Sequence, residues 1–141
     1  MRLPDSRRDE VAFIFEGLGD QEVIGDFGPV LGGAAGDEVD RFDTELGSPF
    51  TAIRVATTNR LNGSYQLCVE DMSETVPLQD GSHSDRVRSD LVYLTRGNGG
   101  AVFSVGSINW IPTLRFEHDQ NNVSTVTENV LRHFLIGRSV D

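Results

Sequence analysis

The stretch Asn121 to Gly137, "NNVSTVTENVLRHFLIG", constrains the fold more than any other. Val123, Val126, Val130, Leu131, Phe134 and Leu135 recur at three- and four-residue spacing, which predicts an amphipathic helix with one apolar face. Asn121 or Asn122 is placed to cap its start, and Gly137 to end it. Arg132 and His133 lie in the last turns, where the helix dipole favours positive charge. A helix with one apolar face needs a surface to cover, so this one is predicted to lie on a sheet.

The preceding chain supplies the strands. "EVAFIFEG" reads as a short buried strand, "FTAIRVATT" as a second with Ile53, Val55 and Thr57 on one face, and "SYQLCVEDM" as a third with Tyr65, Leu67 and Val69 aligned. "DLVYLTR" and "AVFSVGSI" flank "GNGG", where Asn98-Gly99 supplies the positive φ of a tight hairpin turn. The glycine-rich segment between residues 17 and 38 and the polar "SETVPLQDGSHSDRVRS" read as loops, and residues 1 to 9 as a segment loose until packed. Strands followed by one helix, with no strand-helix alternation, give a single α+β domain over residues 1–141. Its sheet is mixed and largely antiparallel, with a late β-hairpin and a C-terminal amphipathic helix.

Charge narrows the function classes. Acidic residues outnumber basic ones 22 to 12, a net charge of -10, so nucleic acid is excluded as a partner for want of phosphate-neutralising patches. Every basic residue is arginine, which excludes a Schiff-base or P-loop lysine. Cys68 is alone and sits in an apolar run, so it is expected to be a small buried hydrophobe. No apolar run is long enough for a membrane span and no signal-peptide pattern is present, so a soluble, cytoplasmic protein is expected.

The candidate chemistry centres on "LGGAAGDEVDRFD", Leu31 to Asp43, where tiny residues run into dense carboxylates. Asp37, Glu38, Asp40 and Asp43 repel phosphate, and the acid spacing of a calcium loop is missing. Two readings stay open on the residues alone: a solvated polar segment after a turn, or a packed carboxylate doing acid/base work. His83, His118 and His133 show no metal-ligand spacing, and His118 in "FEHDQNN" reads as part of an exposed loop. No G-x-S-x-G elbow is present. Trp110 in "GSINWIP" reads as a core or rim aromatic.

"GNGGAVFSVGSINW", followed by "NNVSTVTENVLRHFL" and preceded by "GDFGPVLGGAAGDEVDRFD" and "LGSP", resembles the C-terminal region of the N,N-dimethylformamidase large (beta) subunit family. The resemblance runs from about Glu16 to Leu135. It implies the hydrolysis of a small amide to an amine and formate. In the complete family enzyme it implies a mononuclear iron held by two tyrosines and a glutamate, near an upstream "HDEYW"-like motif. That motif is absent from this sequence, so neither Tyr65 nor Tyr93 is assigned to iron, and no metal or cofactor is expected in this chain.

By motif position the resemblance makes Glu38 the expected acid/base group. Asp37, Asp40 and Arg41 are then supporting or structural, and Asn121 and Asn122 cap the helix rather than touch substrate. Where the family has Asp directly before "NNVS", this chain has Gln120, with Asp119 one place earlier. The wider family domain resembles a class I glutamine-amidotransferase-like fold, of which this chain supplies the late strands, the hairpin and the last helix. Such a piece is expected to be inactive alone and to pair with a second copy or with an upstream catalytic polypeptide. The competing expectation is an acidic assembly module without chemistry.

Overall fold

A computed structural model describes residues 1–31, 33–58, 61–68, 77–97 and 99–136. The two β-rich runs around the "GNGG" turn form β2, Asp90–Thr95, and β3, Ala101–Ser104, paired antiparallel with Tyr93 opposite Phe103. Gly99 takes φ 82°, the left-handed conformation that such a turn demands; Asn98 lies outside the described residues. β1, Ile53–Thr57, pairs antiparallel with the other side of β2, giving the order β1-β2-β3. A bulge between Arg54 and Ala56 breaks the expected alternation, so Val55 and Ala56 are both buried.

The N-terminal segment finds its packing partner in β1. The Leu3 N–H donates to the Val55 carbonyl and the Thr57 N–H to the Met1 carbonyl, so Met1–Leu3 lie along the outer edge of β1. The Arg2 guanidinium sits 4.4 Å from the centre of the Phe15 ring.

Two helices follow the hairpin: α1, Trp110–Leu114, and α2, Asn122–Ile136. Asn121 is the N-cap, its Oδ1 accepting from the Ser124 N–H at 2.9 Å. The helix packs chiefly on the Ala12–Phe15 turn, and its Val123, Val126 and Val130 join Val11, Ile14, Val55 and Tyr93 in one core. Each fully buried valine of this kind contributes about 2 kcal/mol. Leu131 and Leu135 do not join them; they are exposed, because the buried face is centred on the valine row and both leucines are rotated away from it. Gly137 lies outside the described residues.

Three further expectations are corrected. "EVAFIFEG" forms a 3-10 helix over Ala12–Phe15 instead of a strand. Val11, Ile14 and Phe15 are buried, the spacing of a helical turn, and the Asn129 side-chain amide donates to the carbonyls of Ile14 and Glu16, which therefore need no partner strand. A short apolar run fits either geometry, and here the packing against α2 decides. In "SYQLCVEDM" only Gln66 pairs, through an isolated bridge to Asp80, and Leu67 alone is buried; Val69 to Met72 lie outside the described residues. Cys68 is exposed, since its neighbour Leu67 takes the inward position. Among the described residues, no helix is long and apolar enough to cross a membrane.

Candidate functional site

Among its described residues, the segment from Leu31 to Asp43 forms no helix or strand, and Val39 makes an isolated bridge to Ser107. The buried Gly36 donates its N–H to Ser107 Oγ at 2.9 Å and receives that hydroxyl's proton on its own carbonyl at 2.7 Å. A Cβ on Gly36 would lie 2.6 Å from Asn109 Nδ2, so the close approach requires glycine. Asn109 in turn donates to the carbonyl of Val30 at 3.2 Å. The next residue, Asp37, has φ 60° and gives its N–H to Tyr65 Oη at 3.1 Å.

Asp40 uses its backbone as a wedge between the hairpin strands. Its N–H donates to the Gly106 carbonyl at 2.8 Å, and its carbonyl accepts from the Asp90 N–H at 3.0 Å. The Asp90 side chain, with no exposed surface, then fixes the end of the segment. It accepts from the Phe42 N–H at 2.8 Å and from Arg88 Nε at 2.9 and 3.2 Å, while Arg88 Nη2 donates to the Phe42 carbonyl at 2.8 Å. Arg54 adds a second guanidinium 3.6 Å from Asp90 Oδ1.

The expected site residues separate along this frame. Glu38 is exposed, and its side chain has no hydrogen bond or ion pair among the described residues. Asp37 and Asp40 are likewise exposed in their side chains and act through their backbones. Arg41 is partly covered; its Nε donates to Asp43 at 2.9 Å, and this hydrogen bond is the main reason the Asp43 carboxyl is held below the usual carboxylate range.

Asn121 and Asn122 sit elsewhere, at the start of α2. Asn121 Nδ2 donates to the carbonyls of Phe116 and Leu114 at 2.7 and 3.2 Å, closing the turn before the helix it caps. Asn122 reaches the glycine-rich loop instead, accepting from the Gly25 N–H at 3.0 Å and donating to Glu22 at 2.8 Å and to the Val23 carbonyl at 3.0 Å. That amide contact leads the causes that lower the Glu22 pKa. The residues that shape the loop, Tyr65, Arg88, Asp90, Ser107 and Asn109, escape a sequence reading because their partners are distant in the chain. The serine and asparagine of "GSINW" are the visible signal, as polar residues at the end of a strand.

Tyr65 is occupied by the Asp37 N–H, and Tyr93 is buried in the core against Phe13, ring centres 5.6 Å apart, where burial raises its phenol pKa. Among the described residues no three His, Cys, Asp or Glu side chains converge on a metal position. His118 stands in an exposed turn in which Glu117, His118 and Asp119 all have positive φ.

Asp80, Ser82 and His83 superficially resemble a hydrolytic triad. However, the same nitrogen, His83 Nδ1, meets both Asp80 Oδ1 at 2.9 Å and Ser82 Oγ at 3.1 Å. The ring therefore cannot take the serine's proton on one nitrogen while the aspartate orients the other, and the group is a polar turn.

A cavity of about 720 Å³ is lined in part by the start of the segment. Gly33, Ala34, Ala35, Ala56, Leu91 and Trp110 line it, and Glu38 does not. Trp110 is core as well as rim: it is buried, and its Nε1 donates to Thr127 Oγ1 at 3.0 Å.

A family described as N,N-dimethylformamidase beta subunit-like, C-terminal, matches residues 2–124. The chain belongs to that family. The match takes in the Leu31–Asp43 segment, the hairpin and the Ser107 and Asn109 anchors. Two curated relatives, the N,N-dimethylformamidase beta subunits of Alcaligenes sp and Paracoccus aminophilus, are each 38% identical over 135 residues, which is 96% of this chain. The chain spans 18% of the length of each relative. As a member of this family, it presents the Asp37-Glu38 pair outward from a frame built by the hairpin and its own loop.

Proposed function

We propose that this chain serves as the C-terminal part of an amide hydrolase acting on small linear amides of the N,N-dimethylformamide type, and that Glu38 is the acid/base carboxylate it contributes. The observation that carries this reading is the contrast inside one loop: the residues around Glu38 are pinned by backbone and buried hydrogen bonds, while the Glu38 carboxylate is free and faces outward. Free carboxylates on rigid supports are what a site completed by another surface requires.

Covering such a group with apolar polypeptide favours its protonated form, so that it exchanges a proton near neutral pH. In amide hydrolysis Glu38 would take a proton from the attacking water and return it to the departing amine nitrogen. Asp37 and Asp40 set the position of Glu38 through their backbones, and Arg41 with Asp43 closes the loop. Iron, where the complete enzyme uses it, is proposed to be held by residues outside this chain, and no step is assigned to it here.

The test is to graft the chain in place of the matched stretch of the Paracoccus aminophilus beta subunit and to measure dimethylamine release from N,N-dimethylformamide. The chain alone is expected to be inactive and the graft active. Glu38→Gln is expected to lower the graft's rate by on the order of 100-fold, as the loss of a general acid/base does. An unchanged rate in the Glu38→Gln graft would remove the catalytic role and leave an acidic assembly module.

A further inference from the structure

The sheet has two outer edges, and they are treated differently. The outer edge of β1 is occupied by Met1–Leu3 of the same chain. Among the described residues, nothing pairs with the outer side of β3. The register shows which groups are left over. The Arg96 N–H donates to the Gly100 carbonyl, so Leu94 with Val102 and Val92 with Ser104 are the hydrogen-bonded pairs of the antiparallel ladder. The N–H and C=O groups of Ala101 and Phe103 therefore point away from β2.

Edge strands of soluble proteins are usually blunted by charge, proline or bulges. β3 reads "AVFS": it is short, but it carries no charge and no proline, in a chain of which 24% of residues are charged. The sheet face opposite the core is also apolar. Val92, Leu94, Val102, Phe42 and Ala52 line a cavity of about 210 Å³ there; Val102 is half exposed, and Phe50, beside the cavity-lining Pro49, is 87% exposed. An unpaired ladder beside an apolar depression is the arrangement that accepts an added strand, with main-chain bonds giving affinity and the depression taking a side chain.

We infer that the free edge of β3 is paired in the assembled enzyme by a strand of the polypeptide that accompanies this segment in its relatives. The inference rests on the reading above, in which this chain is part of a larger hydrolase. More than four-fifths of each relative's length lies outside the matched stretch, so the covering chain is available there. A second copy of this chain is the poorer occupant, because each copy carries a net charge of -10 and joining two brings like charge together.

Amide hydrogen exchange tests the pairing without reading catalysis. In this chain alone, the amides of Ala101 and Phe103 are expected to exchange at nearly the unprotected rate. Those of Val102 and Ser104 are expected to be slower by on the order of 100-fold. In the intact Paracoccus aminophilus beta subunit, the aligned positions are expected to be slow at all four. Fast exchange at the two outward positions in the intact subunit overturns the inference. So does slowing at Ala101 and Phe103 in this chain alone as its concentration rises, which would make a second copy the occupant. Because neither measurement depends on amide hydrolysis, an inactive Glu38 assignment and an unpaired edge are separately visible.

Discussion

Gly36 and Ser107 lie 71 positions apart and exchange two hydrogen bonds, one from the Gly36 N–H to the hydroxyl and one from the hydroxyl back to the Gly36 carbonyl. Both residues are buried, so no water replaces a missing partner. Ser107→Ala leaves a donor and an acceptor unsatisfied in the same place and is expected to cost about 2 kcal/mol. Urea unfolding of the two proteins measures the difference. A change below about 0.5 kcal/mol would show that the loop is not held there.

Asp90 is expected to be the more sensitive position. Its buried carboxylate receives the Phe42 N–H and the Arg88 guanidinium, and Arg88 also holds the Phe42 carbonyl. Asp90→Ala strips the partner from a partly covered arginine and from a backbone donor at once, an effect of about 3–5 kcal/mol for a buried pair broken from one side. Thermal unfolding is expected to show a large drop in midpoint, with the Asp37–Asp43 loop more accessible to proteolysis. Retention of the parent midpoint would place the stabilisation elsewhere.

The parts of this architecture that were legible in the sequence are those set by neighbours in the chain. The β2–β3 hairpin follows from a turn of glycine and asparagine between two β-rich runs, and α2 from the spacing of Val123, Val126 and Val130. Residues whose place depends on distant partners were not legible. Val11, Ile14 and Phe15 fit a strand or a turn of helix equally, and it is Asn129, over a hundred positions away, that satisfies the Ile14 and Glu16 carbonyls. Leu131 and Leu135 share the valines' periodicity yet stay exposed, because the packing of α2 on the distant Ala12–Phe15 turn selects its inner face. The Glu38 segment could be singled out by its glycines, alanines and acids; its anchoring by Tyr65, Ser107 and Asp90 could not.

Gly106 illustrates how the wedge of Asp40 constrains the chain. It has φ 61°, and a Cβ there would fall 2.5 Å from the Asp90 carbonyl oxygen and 3.0 Å from that of Asp40. Both neighbours are backbone atoms of the ladder, so neither moves without breaking the Asp40 bridge. Gly106→Ala is expected to destabilise by more than about 2 kcal/mol, combining left-handed strain with the clash. Gly97, with open space around its Cβ position, is the control, and Gly97→Ala is expected to stay within about 0.5 kcal/mol. Equal effects in the two variants would contradict the wedge.

The polar turn at Asp80 gives a pH dependence with a defined sign. Its carboxyl is pushed down from the ordinary 3.8 to about 2, chiefly by the Ser82 hydroxyl and then by the His83 ring and the Ser82 N–H. A carboxylate whose folded pKa is depressed stabilises the fold above its unfolded value, and that stabilisation is lost as pH falls from 3.8 towards 2. The Asp80 side chain is 19% exposed, in a surface turn beside the exposed His83, so the size of the effect is small and is read by titration rather than by unfolding. Carbon NMR of the Asp80 carboxyl is expected to show a midpoint near 2, moving back towards 3.8 in Ser82→Ala because the leading hydrogen bond is gone. His83→Ala is expected to move it in the same direction by less, since the ring ranks second among the causes. A midpoint that ignores Ser82→Ala would mean that the hydroxyl does not favour the charged form, and the turn would then owe its shape to the backbone bonds alone.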